Sequence, residues 1–367
     1  MKILFLANHL NTGGITSYLF SLARGLKKKG HGIYLASSVG DLLGKFKEAN
    51  IDFIPVPMKT KQELSPKIIL SALRLKGIIK KEGIEVVHSQ SRTTAVLGAL
   101  LWRITGIIHI STCHGFFKRR LSRVIFPCWG RKVIAISEQV KGHLEKDFGV
   151  AEEKICLINN GIDTDRFKNQ DSGVKEEARK KLGLESALVV GIVARLSDVK
   201  GHIFLLTAMK EVLQSFPDTQ LLIVGEGKMK ERLLRLADDL GIRNHVVFLP
   251  RVDDAARILA AIDVFTMPSL EEGLGLALME AMAQGLAVVG SSVGGIKTLI
   301  QDGYNGLLVK PKDARGLALK ISQLLGDEAK RRYFGNNARN FILNNFSLDK
   351  MVSQTERVYE ECLSQRS

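Results

Sequence analysis

The chain has 367 residues, of which 45% are hydrophobic and 25% charged, a composition typical of a globular protein long enough to form two domains. Its four cysteines form no CxxC pair, which argues against a zinc site or a disulfide framework and favours a reducing cytoplasm. No apolar stretch approaches the roughly 18 residues that a membrane-spanning helix needs. The apolar start, residues 2–7, is shorter than the core of a secretory signal and is read as a buried strand.

The formal net charge of +15 is concentrated in the first half of the chain. Residues 1–170 contain 27 Lys and Arg against 13 Asp and Glu, and no acidic residue occurs between Val86 and Ser137. Such an asymmetry favours a polyanionic surface partner, and both nucleic acid and anionic lipid fit it.

Short β-branched or leucine-rich runs alternate with amphipathic stretches, the pattern of parallel α/β sheets covered by helices on both faces. In the first half, strands are predicted at 2–7, 32–36, 52–55, 86–89, 107–112 and 133–136. Helices are predicted between them at 15–29, 66–82, 93–104 and 138–148.

The second half repeats this rhythm, with strands predicted at 188–194, 220–224, 246–249, 264–267, 288–290 and 307–309. The intervening segment, 159–173, is rich in Asn, Asp and Gly and is typical of a connector. We therefore predict one Rossmann-like domain over 1–168, a second over 169–346, and a last helix, within 347–367, that packs outside the winding of the second domain.

Ligands of open α/β sheets bind in the loops that follow the strands. The first such loop contains Gly13 and Gly14, whose backbone amides can approach an anion at the start of the next helix. A tight turn that needs glycine explains the pair equally well, and the G-x-G-x-x-G dinucleotide fingerprint is absent.

The loop after the strand at 188–194 contains two cations, Arg195 and Lys200, directly before a predicted helix. Two cations at a helix start are what a pyrophosphate needs. A pair of solvated surface cations is the alternative interpretation.

The segment after the strand at 264–267 carries two carboxylates. Glu272 comes just before a helix predicted from about Leu274 to Gln284, and Gly285 is its expected cap. Glu280 lies inside that helix among apolar residues, where a carboxylate needs a polar partner. Sugar hydroxyls would provide one. The alternative is that Glu271 and Glu272 are acids at a helix start and that Glu280 is a solvated helix position.

This segment resembles the E-x7-E signature of retaining glycosyltransferases of family 4, commonly written E-G-F-G-x-x-x-x-E-A-M-A. The likeness covers nearly the whole chain. Gly13-Gly14 is similar to the family's glycine loop, and 160–163 to its interdomain N-G-[VI]-D. Leu274 stands where Phe is common, and Ala194 replaces a frequent Gly. The resemblance implies the GT-B fold, in which a cleft separates two Rossmann-like domains and the last helix crosses back to the first.

The resemblance also implies a role for each matching residue. Glu280 would bind the ribose and Glu272 the donor sugar, while Arg195 and Lys200 would hold the diphosphate. His114 would line the acceptor side, although a histidine beside a glycine is more often structural. The implied catalytic residues are His114, Arg195, Lys200 and Glu272. The implied donor-binding residues are Gly13, Gly14, Arg195, Lys200, Arg251, Val252, Glu272, Gly273, Leu274, Gly275, Leu276 and Glu280.

No Asp-x-Asp motif follows a predicted strand; Asp163-Thr-Asp165 has the spacing but lies in the connector. Two cations and a helix start can replace a divalent ion at a leaving diphosphate. We therefore expect a metal-independent, retaining hexosyltransferase with no cofactor, which uses a UDP- or GDP-sugar and a cell-envelope glycan or glycolipid acceptor, as in lipopolysaccharide or polysaccharide biosynthesis.

Basic and aromatic residues interleave between Phe116 and Lys132, with Lys118, Arg119, Arg120 and Arg123 among them. This pattern predicts peripheral docking on the inner face of an anionic cytoplasmic membrane, although a solvated basic helix fits it nearly as well. Three alternatives remain for the whole chain: a nucleotide-sugar epimerase of the same fold, a basic nucleic-acid-binding protein, for which no recognised module is present, and an NAD-dependent oxidoreductase, which the missing fingerprint disfavours.

Overall fold

The computed structural model describes residues 1–58, 65–117, 123, 126–167, 172–184, 188–252 and 255–365. Their contacts divide the chain into two compact units: Met1–Gly161 with Leu348–Ser367, and Ile162–Ser347. The predicted boundary after residue 168 lies in the segment 168–171, outside the described residues. The contact-based division comes earlier, after Gly161.

The first unit contains a seven-stranded parallel sheet in the order β3-β2-β1-β4-β5-β6-β7. Its strands are β1 Lys2–His9, β2 Gly32–Ser38, β3 Asp52–Pro55, β4 Val86–Ser89, β5 Ile108–Cys113, β6 Lys132–Ala135 and β7 Ile155–Leu157. The first six were predicted to within two residues at each end. β7 was not predicted, because a strand of three residues is too short to show a period.

Helices cover both faces of this sheet. They are α1 Gly14–Lys28, α2 Leu43–Glu48, α3 Pro66–Glu82, α4 Arg92–Thr105 and α5 Glu138–Phe148. Local capping explains their ends: the Ser91 hydroxyl accepts a hydrogen bond from the N–H of Thr94 at the start of α4, and Gly83 ends α3 in the left-handed conformation. The short α2 was not predicted.

The second unit contains a six-stranded parallel sheet in the order β10-β9-β8-β11-β12-β13. The strands are β8 Val189–Val193, β9 Gln220–Val224, β10 Val246–Leu249, β11 Val264–Met267, β12 Ala287–Ser291 and β13 Leu307–Val309. All six predicted strands are confirmed. β8 and β11 lie side by side in the middle of the sheet, so the loops that follow them are neighbours at its carboxyl edge.

Eight helices surround this sheet among the described residues, and separate apolar clusters pack on its two faces. They are α6 Ser172–Lys181, α7 His202–Ser215, α8 Lys230–Asp239, α9 Ala255–Ala260, α10 Leu276–Gln284, α11 Ile296–Leu299, α12 Ala314–Leu325 and α13 Glu328–Asn345. The two parallel-sheet units confirm the predicted α/β class with two doubly wound sheets.

The last helix, α14 Leu348–Ser364, belongs to the first unit. Gly25 of α1 packs closely against Val352: a Cβ added at Gly25 would lie 2.4 Å from the Val352 side chain. Glu356 accepts hydrogen bonds from Lys29 and pairs with His31, whose Nε2 lies 2.7 Å from its Oε1. Both apolar packing and ion pairs therefore hold α14 beside α1. No described helix is both long and apolar enough to cross a membrane.

Candidate functional site

The central polar contact of the second unit joins the loops after β8 and β11. Lys200 Nζ donates a hydrogen bond of 2.5 Å to Glu272 Oε2, and the two side chains are 22% and 11% exposed. Since both groups are largely removed from water, deleting either one would leave an uncompensated charge. The structure thus brings together two residues that the sequence analysis selected from separate loops.

Backbone contacts fix these two loops against each other. The N–H of Leu270 donates to the carbonyl of Val199 at 2.7 Å. Gly201, which follows Lys200, has φ 73°, and a Cβ at this position would lie 1.9 Å from the carbonyl oxygen of Pro268. Only glycine tolerates both this conformation and this approach, so the position of Lys200 relative to the Glu272 loop is tightly constrained.

A third loop, after β12, supports Glu272 from another direction. The N–H of Gly295 donates to the carbonyl of Glu272 at 3.0 Å. Gly294 has φ 39°, and a Cβ there would lie 2.1 Å from the same oxygen. The sequence analysis missed these glycines, although a Gly-Gly pair after a predicted strand is a recognisable signal.

The remaining predicted donor residues of the second unit lie in loops at this edge or on α10. Arg195 is exposed directly after β8, and Arg251 is exposed after β10 with Val252 partly buried beside it. α10 begins at Leu276, two residues later than predicted, because Gly275 has φ 80° and precedes the helix. Leu274 is buried, and Glu280 is partly buried on α10.

The start of α10 has no side-chain cap among the described residues. The first amide groups of a helix have no partner within it and carry partial positive charge. This helix start directly follows the Glu272–Gly275 segment and can receive an anion. Gly285 ends the helix with φ 84°, as predicted.

The predicted residues of the first unit lie at the carboxyl edge of its own sheet. Gly13 and Gly14 lie at the start of α1, after β1. His114 follows β5; its Nε2 lies 2.9 Å from Oε1 of Gln90, and its ring packs edge-on against Tyr18 with 4.7 Å between centroids. Burial lowers the pKa of His114 to about 3, so its imidazole is neutral near pH 7.

Two further histidines, which the sequence analysis did not select, lie deeper in the same sheet. Nδ1 of His88 lies 2.6 Å from the Tyr359 hydroxyl, and its Nε2 lies 2.7 Å from the Thr112 hydroxyl. Nε2 of His109 lies 2.9 Å from the Ser89 hydroxyl. Burial lowers the pKa of His109 to about 3 and that of His88 well below its ordinary value. Each of these strand histidines is neutral and hydrogen-bonded, and the strand register places the two side chains on opposite faces of the sheet.

Three residues of the predicted basic docking segment, Lys118, Arg119 and Arg120, lie outside the described residues. Arg123 is described, and its guanidinium lies 5.1 Å from the centre of the Phe117 ring. Across the described ranges, no group of three or more His, Cys, Asp or Glu side chains is arranged to hold a metal ion.

Two family models match the chain. The model described as Glycosyltransferase Family 4 covers residues 12–166, and the model described as Glycosyl transferases group 1 covers 174–341. Together they span most of both units.

Two characterised relatives and one solved structure are similar over most of the chain. The GDP-mannose-dependent alpha-(1-6)-phosphatidylinositol monomannoside mannosyltransferase of Mycolicibacterium smegmatis is 30% identical over 75% of this chain and 76% of its own. The UDP-Gal:alpha-D-GlcNAc-diphosphoundecaprenol alpha-1,3-galactosyltransferase of Escherichia coli is 28% identical over 80% of this chain and 79% of its own. The crystal structure of a glycosyltransferase from Rickettsia africae matches with a TM-score of 0.90 at 25% identity. The match covers 99% of this chain and 98% of that structure's chain.

Proposed function

This chain belongs to glycosyltransferase family 4, and we propose that it moves a hexose from a nucleoside diphosphate sugar to a lipid-linked or glycan acceptor of the cell envelope, without a metal and with retention at the anomeric carbon. Its two doubly wound units have the GT-B fold that the sequence resemblance implied. Family membership favours a transferase over the epimerase, oxidoreductase and nucleic-acid-binding alternatives.

The contact between Lys200 and Glu272 supports the donor assignment most directly. A carboxylate that holds a lysine ammonium next to an uncapped helix start fixes one cation where phosphate oxygens would bind. Arg195, exposed in the same loop, supplies a second cation. In this proposal Lys200 and Arg195 stabilise the leaving diphosphate, and Glu272 and Glu280 accept hydrogen bonds from sugar and ribose hydroxyls.

The family resemblance implies retention, and the proposed donor site is compatible with it. In this proposal no carboxylate of the described residues acts as the nucleophile of a double displacement, and the acceptor oxygen attacks on the face from which the diphosphate leaves. The C–O bond to phosphate breaks as the new C–O bond forms, and a phosphate oxygen takes the acceptor proton. The fixed cations lower the barrier because they bind the developing negative charge of the diphosphate. NMR of the product would contradict this mechanism if the anomeric configuration were inverted.

A nucleotide panel tests the donor site. UDP, GDP and ADP are each titrated while thermal unfolding is followed, because a ligand that binds only the native state raises its melting temperature. We expect one base to give the largest shift, and Lys200→Met to abolish that shift. Lys181→Met serves as the matched control, since Lys181 pairs with Glu177 on the exposed surface of α6. No shift with any nucleotide would contradict the assignment.

The names of the two relatives point to a lipid-linked acceptor: one acts on a phosphatidylinositol mannoside and the other on a diphosphoundecaprenol glycan. The surface of the first unit supports such an acceptor here. Ile69, Leu70 and Leu73 of α3 are 57%, 61% and 63% exposed, and Trp102 of the adjacent α4 is 55% exposed.

The same helix is strongly basic. α3 contains five cationic residues and one acidic residue, and its cations are Lys67, Arg74, Lys76, Lys80 and Lys81. Exposed apolar side chains flanked by lysines are typical of a helix that lies in the interface of an anionic bilayer. We therefore place the membrane-facing surface on α3 and α4, whereas the sequence analysis placed it at 116–132.

Fluorescence of Trp102 tests this surface. Anionic phosphatidylglycerol vesicles should shift Trp102 emission to shorter wavelength, and Trp102→Phe should remove most of the shift. Leu70→Ser with Leu73→Ser should weaken vesicle binding about tenfold or more without changing nucleotide affinity, since about 25 cal/mol is lost per Å² of apolar area. Leu319→Ser, at a similarly exposed leucine of α12, is the control. Equal binding by the double variant and the control would remove the α3 surface from the proposal.

A further inference from the structure

A cavity of about 420 Å³ lies at the amino-terminal edge of the second sheet, opposite the edge that carries Lys200 and Glu272. It is formed where α10 ends, where β11 and β12 begin, and by the first turns of α13. A cavity of this volume falls in the range of small-molecule sites. Neither the family resemblance nor the proposed reaction uses it.

The polar group that distinguishes this cavity is Gln284, the last residue of α10. Its residue is 2% exposed, and neither Nε2 nor Oε1 has a hydrogen-bond partner among the described residues. Leaving a buried amide unpaired costs on the order of 1–3 kcal/mol. A ligand that supplies both an acceptor and a donor would satisfy this amide.

The charged side chains around the cavity indicate which sign of charge that ligand would carry. Asp263 is satisfied by Lys175, by Arg179 and by the N–H of Val189 at 2.6 Å. Glu328 pairs with Arg332 at 2.7 Å.

Arg331, which also lines the cavity, donates to the carbonyl oxygens of Leu324 and Leu325 at 2.6 and 2.8 Å, and no carboxylate of the described residues pairs with it. Three cations and two carboxylates therefore line the cavity, and Arg331 is the lining cation that pairs with neither carboxylate.

We propose that this cavity binds a small organic anion, a phosphorylated or carboxylated metabolite that also carries hydroxyl groups. Arg331 binds the anionic group, because a guanidinium forms charge-assisted hydrogen bonds with phosphate or carboxylate oxygens. The Gln284 amide binds the hydroxyl groups. The site is separate from the donor site, since the two lie at opposite edges of one sheet.

Calorimetric titration with three probes tests the proposal: inorganic phosphate, citrate and glycerol 3-phosphate. Phosphate reports on the cations alone, whereas glycerol 3-phosphate adds hydroxyl groups that Gln284 can bind. We expect glycerol 3-phosphate to bind about fivefold to tenfold more tightly than phosphate, which corresponds to one or two hydrogen bonds. Citrate binding with a higher affinity than both would assign a carboxylated ligand.

Gln284→Leu is the decisive variant. Because the Gln284 amide has no protein partner, leucine should leave the melting temperature of the free protein unchanged or raise it. It should also remove the difference in affinity between glycerol 3-phosphate and phosphate. Gln214→Leu, the same substitution at an exposed glutamine of α7, is the matched control and should keep that difference.

Three results would overturn the proposal. The first is that no probe binds at 10 millimolar, roughly the weakest affinity of interest for a metabolite. The second is equal affinity of glycerol 3-phosphate for the wild-type protein and Gln284→Leu. The third is displacement of the probes by the nucleotide that binds best in the donor panel, because that result would place them in the donor site.

Discussion

Polar side chains at the carboxyl edge of the second sheet carry charge, whereas those along β4 and β5 of the first sheet are neutral. Lys200 and Glu272 form a charged pair, and Arg195 lies exposed nearby. In the first unit, by contrast, His88, His109 and the following His114 all have a pKa lowered by burial.

This contrast separates two kinds of recognition. Fixed charges stabilise an anion that is present or developing, as on a diphosphate, because they need no reorganisation when the charge forms. Neutral imidazoles, amides and hydroxyls both donate and accept hydrogen bonds, which suits uncharged sugar hydroxyls or the packing of a core. The charged edge therefore fits the donor. His88 and His109 are buried in the sheet and have a structural role, whereas His114 is only partly buried at the edge and fits an acceptor.

The largest expected effect comes from removing the lysine of the charged pair. Lys200→Met should lower kcat about 100- to 1000-fold, the usual cost of losing one group that stabilises transition-state charge. Steady-state assays with the donor found in the nucleotide panel measure this. Lys181→Met should stay within about twofold, since an exposed pair contributes little. Equal activity of the two variants would show that the pair is not part of the catalytic site.

The buried neutral histidines should make the protein sensitive to acid. In the unfolded chain a histidine titrates near 6.5, whereas folded His109 and His114 titrate near 3. As the pH falls below 6.5 only the unfolded state takes up protons, so stability decreases by up to about 1.4 kcal/mol per pH unit for each histidine until about pH 3.

Urea unfolding at pH 7, 6 and 5 measures this slope. His114→Gln, which keeps a hydrogen-bonding side chain near Gln90, should reduce the slope. One histidine of the second unit, His202, is also buried with its pKa lowered to about 4, so some sensitivity should persist. A slope unaffected by His114→Gln would mean that this histidine titrates alike in both states.

The two glutamates of the second unit should have separable effects. Glu280→Gln should weaken binding of the nucleotide about tenfold and change kcat little, because we assign Glu280 to the ribose. Glu272→Gln should mainly lower kcat, because it removes the partner of Lys200 and a contact to the donor sugar. Titration calorimetry and steady-state kinetics distinguish them, and identical effects in both measurements would refute separate roles.

The smallest expected effect is that of chelation. If Lys200, Arg195 and the start of α10 stabilise the diphosphate, EDTA should leave kcat unchanged within error. Activity that EDTA abolishes and magnesium or manganese restores would show that a metal contributes to the charged edge. The assay should use protein dialysed against EDTA and then against buffer, with each metal added back.

Most strands, the longer helices of the first unit and α10 could be predicted, because apolar period and capping residues are local features of the sequence. Twelve of the strands were predicted from apolar runs, and the one missed, β7, has too few residues to show a pattern. The start of α10 was placed two residues early because Gly275, within an otherwise helical stretch, has a non-helical conformation.

The candidate site was predicted only as separate parts. The sequence indicated cations after one strand and carboxylates after another, and it places both among strand-end loops. It does not show that Glu272 pairs with Lys200, or that Gly294 and Gly295 support Glu272, since these partners are distant in sequence. His88 and His109 were not recognised, because a histidine within a strand has no local feature that marks its partner.

By itself, then, the sequence determined two parallel α/β windings, the basic character of the first half and the residue types in each strand-end loop. The tertiary structure decided which of these loops meet, because the order of strands places β8 beside β11 although β9 and β10 lie between them in the chain. It also decided that Gln284 has no partner beside a cavity and that Ile69, Leu70 and Leu73 are exposed. Burial and pairing arise from contacts between distant segments, which no local pattern encodes.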